Sequence, residues 1–591
     1  MNYTAPVADM RFVLRHIAGL DQVALLPGAE GAEPDLVDQI LDEAARFAGG
    51  VLAPLNRSGD QEGSRLENGV VRTPKGFRDA YQTFVEAGWN SLPFDPEHGG
   101  QGLPWLVGTA VGEMWASANM AFSLCPLLTQ GAIELLSHHA SPEQKAAYLP
   151  DMIAGTWTGT MNLTEPHAGS DLGLIRSRAV PQADGTYRIA GQKIFITWGD
   201  HDLAQNIIHM VLARTPDAPA GSRGISLFIV PRYLLDADGR PGPANDVRTV
   251  SLEHKLGIHA SPTCVLSFGD ADGGAVGFRV GEENRGLEYM FTMMNNARLS
   301  VGLEGVAIAE RAYQQARDYA LARVQSREIG ASDPTPVAIA RHPDVRRMLL
   351  SMRARTEASR ALAYTVAAAL DHGLRHPDPA ERARQQAFVD LMIPVVKAWS
   401  TDLGVEVAST GVQVHGGVGF VEETGAAQHL RDARIAPIYE GTNGIQANDL
   451  LFRKLGRDGG AAAGTLINRM RADLDSSTQD DIAAPVRAGI DTLETATAWM
   501  VAHHRSEPRL AAAGAVPYLQ ILGTVAGGWL MAKAAGAAAT ALAAGEDPAF
   551  HQAKIATARF YATHEMPTAA ARLATLTTGG AAVTDFAVDW L

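Results

Sequence analysis

Cysteine is nearly absent: Cys125 and Cys264 are the only two among 591 residues. So few thiols, so far apart, exclude a disulfide framework and a paired-cysteine zinc knuckle, and they fit a reducing compartment. Positive charge is also short, with 50 Lys and Arg against 65 Asp and Glu and a formal net charge of -15. A polyanion repels phosphate backbones, which argues against nucleic acid as the main partner. The sequence has no G-x-G-x-x-G after a strand pattern, no G-x-x-x-x-G-K-[ST] and no H-E-x-x-H. A nucleotide cofactor therefore has to be held without those devices. Residues 1–20 lack a basic stretch followed by an apolar run, so no secretory signal is expected. Residues 510–532 lack charge altogether, and 23 residues are enough to cross a bilayer. Pro517, Gln520 and several glycines interrupt that run, and alanine outnumbers leucine, so a buried helix is expected ahead of a span.

What is present is a globular composition, 46% hydrophobic and 19% charged, long enough for about three to four domains. Residues 35–55 carry Leu36, Ile40, Ala44, Phe47 and Val51 at helical spacing, and helical patterns dominate the first 150 residues. Residues 88–104 form a Gly/Pro-rich connector. From about 178 the pattern alternates instead, with Asp184-Gly185 as a hairpin turn and short β-rich runs through 285. Met290, Met294, Val301, Val306, Ala309, Tyr313, Ala316 and Ala320 then make one stripe of a long helix. Further helices are expected at about 344–374 and 381–410, with a linker at 457–464 and an Ala-rich helical tail. The expected organisation is an N-terminal extension (1–34), a helical domain (35–155), a β domain (156–285), a helical bundle (286–457) and an additional helical domain (465–591). The fold class is mainly α with a central β domain, and the missing βαβ alternation disfavours a doubly wound sheet.

Three segments could carry chemistry. In the loop 161–171, Gly169 and Ser170 let backbone N–H groups approach an anion or a ring edge; an ordinary loop with a capping aspartate is the plainer alternative. In the strand pattern 191–200, Phe195 and Thr197 share a face, which suits a flat, hydrogen-bonding heterocycle or simply a core aromatic. Glu440 follows the apolar run 435–439 and precedes Gly441. A carboxylate at the mouth of an apolar cleft has its pKa raised by desolvation and can act as a general base. Helix capping is the alternative for Glu440. Thr442 and Asn443 are N-cap types, so a helix is expected to start there, with N–H groups open to an acceptor edge.

In combination, LTEPHAGSD, KIFITWG, MMNNARL, YALARVQSR, QVHGGVGF and RDARIAPIYEGTNGIQ, in that order, resemble the acyl-CoA dehydrogenase family over residues 35–457. The first 20 residues and the extension after 460 resemble its long bacterial branch, which includes 3-methylmercaptopropionyl-CoA and fatty acyl-CoA dehydrogenases. The resemblance implies a helical domain, a β-barrel domain and a four-helix bundle, with an extra helical domain behind them. It implies FAD held by Met161, Leu163, Thr164, Gly169 and Ser170, with Phe195, Ile196 and Thr197 against the isoalloxazine. Arg323, Gln413 and Gly417 would reach the FAD of a neighbouring subunit, and Thr442 and Gly444 would lie near the cofactor. Asn295, Arg298, Ser170, Tyr439 and Gly441 would contact an acyl-CoA. Glu440 would take the α-proton while the β-hydrogen leaves as hydride to flavin N5. The backbone N–H of Glu440 and a ribityl hydroxyl would polarise the thioester carbonyl. Electron-transfer flavoprotein would collect the electrons.

Two departures stand out. Most of the family has an aromatic-Gly pair after the arginine at 323, where this chain has Ser326-Arg327. Some members carry the base one residue before the arginine matching Arg298, but Ala297 cannot serve, which strengthens Glu440. Two rivals on the same scaffold are an acyl-CoA oxidase and a DNA-binding alkylation-response flavoprotein. The second would need a basic C-terminal domain, whereas residues 461–591 hold 9 basic and 12 acidic residues. A cytoplasmic homodimer is expected, with residues 510–532 able to give surface association with the inner membrane without spanning it.

Overall fold

The computed structural model describes residues 3–271, 273–475 and 477–591. Helix α1 (Pro34–Phe47) opens with a proline, where a missing N–H costs nothing, and buries Val37, Leu41, Ala44 and Phe47. The single helix expected over 35–55 is interrupted. Ala48–Leu52, which contains Gly49 and Gly50, forms a π-helical turn that shifts the register before a new helix, Ala53–Glu62. Helices α2 (Trp105–Ala118) and α3 (Met120–His139) are buried on nearly every side. Asn119 lies between them and caps α3 by accepting from the Phe122 N–H.

Besides a two-stranded antiparallel sheet (Tyr233–Leu235 with Pro241–Ala244), the β domain has a main sheet of eight strands. Its strands are β1 (Trp157–Asn162), β2 (Arg178–Pro181), β3 (Tyr187–Thr197), β4 (Asn206–Ala213), β5 (Ser226–Pro231), β6 (Val247–Leu252), β7 (Thr263–Phe268) and β8 (Ala275–Val280). The order is β6-β7-β3-β8-β5-β4-β1, with β2 also on β3; the β1–β4 pair is parallel and the other ladders of this sheet among the described residues are antiparallel. The expected hairpin joins β2 to β3, and Asp184 accepts from the Thr186 N–H and hydroxyl in its turn.

Helices α4 (Gly286–Ala322), α5 (Pro343–Arg375) and α6 (Pro379–His415) pack side by side. Of the expected stripe on α4, Met290, Val301, Val306, Ala309, Ala316 and Ala320 are buried, while Met294 and Tyr313 are half-buried. A short helix, α7 (Asn443–Asn448), follows. The expected linker at 457–464 shrinks to Gly459 and Gly460, both at positive φ, between helical segments.

The added block holds α8 (Ala461–Asp475), α9 (Asp480–His503), α10 (Ala515–Ala543) and α11 (Pro548–Phe560). Helix α10 is apolar all round and is accordingly buried. It packs on α5, α6, α9 and α11, and it contains most of the uncharged run 510–532. It and α3 are long and apolar enough to cross a membrane, but most of each lies inside the protein. One continuous core joins the N-terminal extension, the first helical domain, the bundle and the added block; a second links the sheet to α3 and the start of α4.

Candidate active site

The loop 161–170 and the end of β3 form one unit. Lys193 on β3 is fully buried, and its Nζ donates to the Leu163 carbonyl and to Glu165 Oε1, both at 2.9 Å. Glu165 also accepts from the backbone N–H of Arg176 and Ser177 and from the Ser177 hydroxyl. Burial pulls the Lys193 pKa down to about 8, opposed by Glu165. Two residues later β3 bulges: Ile194 and Phe195 stand opposite the single Val265 of β7. The Ile194 N–H turns to the Thr164 carbonyl at 2.9 Å, and Phe195 takes φ 59°. Bulges re-aim side chains next to functional sites, and this one leaves Phe195 59% exposed beside the loop. The face Phe195 presents is therefore set by the bulge rather than by plain strand alternation. Thr197 is half-buried. Ile196 is buried among Cys264 and Leu266, so its side chain faces the sheet core, and its carbonyl accepts from the Gly199 N–H at 3.2 Å. Met161 and Thr164 are half-buried, Leu163 is buried, and Gly169 and Ser170 are exposed. Asp171 caps the next turn by accepting from the Gly173 N–H.

The second cluster surrounds Glu440. This residue is half-buried and sits at φ 57°, a conformation that costs a non-glycine residue about 1–3 kcal/mol. Its neighbours hold it there. Lys397 Nζ on α6 donates to the Gly441 carbonyl at 2.9 Å, and Gln446 Nε2 on α7 donates to the carbonyls of Glu440 and Gly441 at 3.2 and 3.1 Å. Desolvation pushes the Glu440 pKa up to about 7 against the pull of Arg298 and Lys397. Arg298 on α4 is buried, and its guanidinium would lie 3.9 Å from a Cβ placed on Gly441. Tyr439 hydrogen-bonds through its hydroxyl to Glu304, a buried α4 carboxyl raised to about 8 by burial. Thr442 caps α7 by accepting from the Ile445 N–H, as its N-cap type predicts, and Gly444 is exposed in the first turn. Asn295 is exposed one turn before Arg298. Helix α4 links the two clusters: Met293 shares a hydrophobic core with Leu163 and Ala168, and Arg298 lies five residues, about 7.5 Å, further along.

Arg323, Gln413 and Gly417 belong to neither cluster. They lie exposed at the C-terminal ends of α4 and α6, which the stacking of Tyr319 on His415 at 4.5 Å holds together. Sixteen helical residues, about 24 Å, separate Gln413 from Lys397. The rings of Trp115 and Phe122 are engaged in an aromatic cluster with Phe84.

Lys193, Glu165, Glu304, Lys397 and Gln446 were not singled out from the sequence, and Asn443 was read only as a helix N-cap type. A signal existed for two of them: Lys397 is the lone charge in LMIPVVKAWS, and Glu304 the lone charge in LSVGLEGVAIA. A solitary charge in an apolar helical run must find a buried partner.

A mainly helical fold around a central β domain, with a strained, half-buried carboxylate on a loop against the bundle, defines the class. The acyl-CoA dehydrogenase N-terminal, middle and C-terminal domain models match residues 35–156, 160–271 and 284–455. A model described as acetyl-CoA dehydrogenase C-terminal like matches residues 466–587. The chain belongs to the acyl-CoA dehydrogenase family, whose members are FAD-dependent oxidoreductases. It is 51% identical over 572 residues to 3-methylmercaptopropionyl-CoA dehydrogenase of Ruegeria pomeroyi, covering 95% of this chain and 96% of that one. It is 36% identical to a butyryl-CoA dehydrogenase of Syntrophomonas wolfei, covering 96% and 95%. Among solved structures, Caenorhabditis elegans ACDH-11 in complex with C11-CoA superposes with a TM-score of 0.77 at 22% identity, covering 96% of this chain and 92% of that one.

Proposed function

We propose that this protein binds FAD and converts a short acyl-CoA thioester to its trans-2-enoyl-CoA, with Glu440 as the general base. The single observation that carries this is Glu440 itself, a carboxylate on a strained loop whose pKa lies near neutrality.

The residues present fit a flavin. The bulge exposes an aromatic ring beside a loop whose Gly169 and Ser170 are open to a ligand. Glu304 Oε1, Gln446 Oε1 and Arg298 Nε are buried near Glu440 without a hydrogen-bond partner in the folded chain. Such orphans are expected where polar ligand atoms complete the site. Met161, Leu163, Thr164, Gly169 and Ser170 would hold the cofactor, with Phe195, the Ile196 backbone and Thr197 against the ring system. Bound FAD supplies the acceptor for the hydride that leaves the substrate β-carbon.

The chain supplies alignment and proton chemistry. A thioester α-C–H is too weak an acid for a carboxylate alone, so the carbonyl must be polarised as enolate charge develops. The Glu440 backbone N–H is the donor assigned to that oxygen, and the Glu440 carboxylate takes the α-proton. Lys397 and Gln446 fix the loop so that both groups of one residue point at one substrate. Arg298, Tyr439, Gly441 and Ser170 would line the thioester end. Support for a short acyl chain comes from the names of the two relatives, which specify 3-methylmercaptopropionyl-CoA and butyryl-CoA. Electrons would pass to an electron-transfer flavoprotein.

A homodimer completes the reading. Phe420 is 86% exposed, and Leu321, Val324, Val418 and Val421 are exposed with it around Arg323 and Gln413. An apolar patch of this kind marks an interaction surface. With about 24 Å of helix between Lys397 and Gln413, Arg323, Gln413 and Gly417 are read as reaching the FAD of a second copy, Gln413 and Gly417 at its adenosine half. Arg323→Ala is expected to lower flavin content and dimer fraction together, read by absorbance after gel filtration; unchanged flavin content would remove Arg323 from the cofactor site.

The direct test is anaerobic bleaching of the flavin band by methylthiopropanoyl-CoA and by straight-chain acyl-CoAs from C4 to C16. Bleaching is expected to be fastest at the short end. Because the base works only when ionised, the bleaching rate should rise about tenfold per pH unit below pH 7 and level off above it. A chain that binds no FAD, or whose flavin no acyl-CoA bleaches, would overturn the proposal. Peroxide release in air would reassign the electron acceptor to oxygen.

A further inference from the structure

We propose that the added C-terminal domain positions the catalytic loop through Gln520, which fixes the direction of a hydrogen-bond chain ending at Gly441; this rests on the base assignment above. The chain is continuous and crosses three elements. Gln520 Nε2 on α10 donates to Asp402 Oδ2 on α6 at 2.7 Å. Asp402 Oδ1 accepts from Asn443 Nδ2 on α7 at 2.7 Å. The other end of that amide, Asn443 Oδ1, accepts from Lys397 Nζ at 2.9 Å, and Lys397 donates to the Gly441 carbonyl at 2.9 Å.

Each link has a direction. An asparagine amide has a donor end and an acceptor end. Lysine can only donate, so Asn443 must turn its oxygen toward Lys397. That leaves its nitrogen facing Asp402 and the Ala398 carbonyl, at 2.7 and 3.0 Å. The arrangement requires Asp402 to accept from Asn443 on Oδ1, and Gln520 donates to the other oxygen, Oδ2, which favours the ionised, accepting form of the carboxyl. Burial raises the Asp402 pKa, with Asn443 and Gln520 opposing it. Without Gln520 the carboxyl more readily takes a proton and can donate to Asn443. The amide would then turn over and present its NH2 to Lys397, whose grip on Gly441 loosens.

Packing independently places α10 against this spot. A Cβ at Gly523 would lie 2.4 Å from the Trp399 ring, and one at Gly527 would lie 2.8 Å from it. Trp399 is two residues from Lys397 on α6. The two helices therefore meet at the level of the catalytic loop, and the added domain is placed to act on it.

Gln520→Leu removes the donor and keeps the bulk. Gln520→Lys restores a donor to Asp402. In Gln520→Leu the rate of flavin bleaching by acyl-CoA is expected to fall about tenfold, since small misplacements of reacting groups are costly. The dissociation constant for enoyl-CoA product and the flavin content should stay within twofold of wild type. Hydrogen exchange of the segment 437–446 should quicken, which needs no turnover to measure. Gln520→Lys should recover the rate to within about threefold. Wild-type flavin that no acyl-CoA bleaches would sink the base assignment instead. With an active wild type, the proposal fails if Gln520→Leu bleaches at the wild-type rate, or if Gln520→Lys is as slow as Gln520→Leu.

Discussion

Glu440→Gln is expected to keep the fold and the flavin and to lose at least about a hundredfold in the rate of flavin bleaching by acyl-CoA. The amide has nearly the shape of the carboxyl and can keep the positive φ, because the restraints on the loop act on backbone carbonyls through Lys397 and Gln446. What the amide cannot do is take the α-proton. Neutralising Glu440 also removes a negative charge facing Arg298 and Lys397, so binding of the anionic CoA ester should not weaken. The loss should therefore fall on the bleaching rate and leave the substrate dissociation constant near wild type. The nearby Glu304 is a poor substitute base. Burial holds its pKa near 8, so it is mostly protonated at neutral pH, and one of its oxygens is engaged by Tyr439. A variant that keeps more than about a tenth of the rate would place the base elsewhere.

Element type was legible wherever one residue pattern dominated. The long helices at 286–322 and 343–375 followed from apolar periodicity, and the hairpin into β3 followed from Asp184-Gly185. The interruption at Ala48–Leu52 was not legible, because a π-turn preserves apolar spacing while shifting its phase. The linker at 457–464 was overestimated for a related reason: AAAG reads as a break by composition, yet three alanines start a helix once two glycines have turned the chain.

The candidate site divided along similar lines. Glu440 and Thr442 stood out because their chemistry is local: an acid after an apolar run, and an N-cap at the start of α7. Phe195 was found for its aromaticity, but its outward turn depends on a bulge set by pairing with β7, which lies about 70 residues downstream. Lys193, Lys397 and Gln520 were missed because their partners come from other elements. Each is one end of a hydrogen bond whose other end only the tertiary structure supplies. Those contacts give the site its rigidity, which local sequence patterns do not reveal.

Arg360→Met is expected to destabilise the protein by about 3–5 kcal/mol, because it removes the cation from the middle of a buried acidic cluster. Arg360 on α5 is 1% exposed. Its guanidinium pairs with Asp9 at 2.7 Å, Glu113 at 2.6 Å and Glu310 at 2.7 Å. Asp9 belongs to the N-terminal extension, Glu113 to α2 and Glu310 to α4. Lys554 on α11 joins the cluster through Asp9 at 2.5 Å and Glu357 at 2.8 Å, so four parts of the chain meet at these charges. Methionine fills most of the aliphatic stem but leaves three carboxyls with less compensation. Burial alone would raise Asp9, and it is Lys554 and Arg360 that hold its pKa down to about 2. Glu113 is already raised by burial despite Arg360. Asp9 in the wild type thus adds stability that is complete above its unfolded value of about 3.8 and is lost as the pH falls toward 2. In the variant both carboxyls titrate higher, so their charged forms cost more near neutrality. The deficit relative to wild type should therefore be largest near pH 7 and shrink as the pH drops toward 4. Thermal denaturation at pH 7 and pH 5 measures this: a fall in Tm of several degrees at pH 7 that narrows at pH 5 is the expected result. An equal fall at both pH values would mean that Arg360 acts by packing alone. No fall at either would mean that desolvation of the cluster already cancels what its ion pairs contribute.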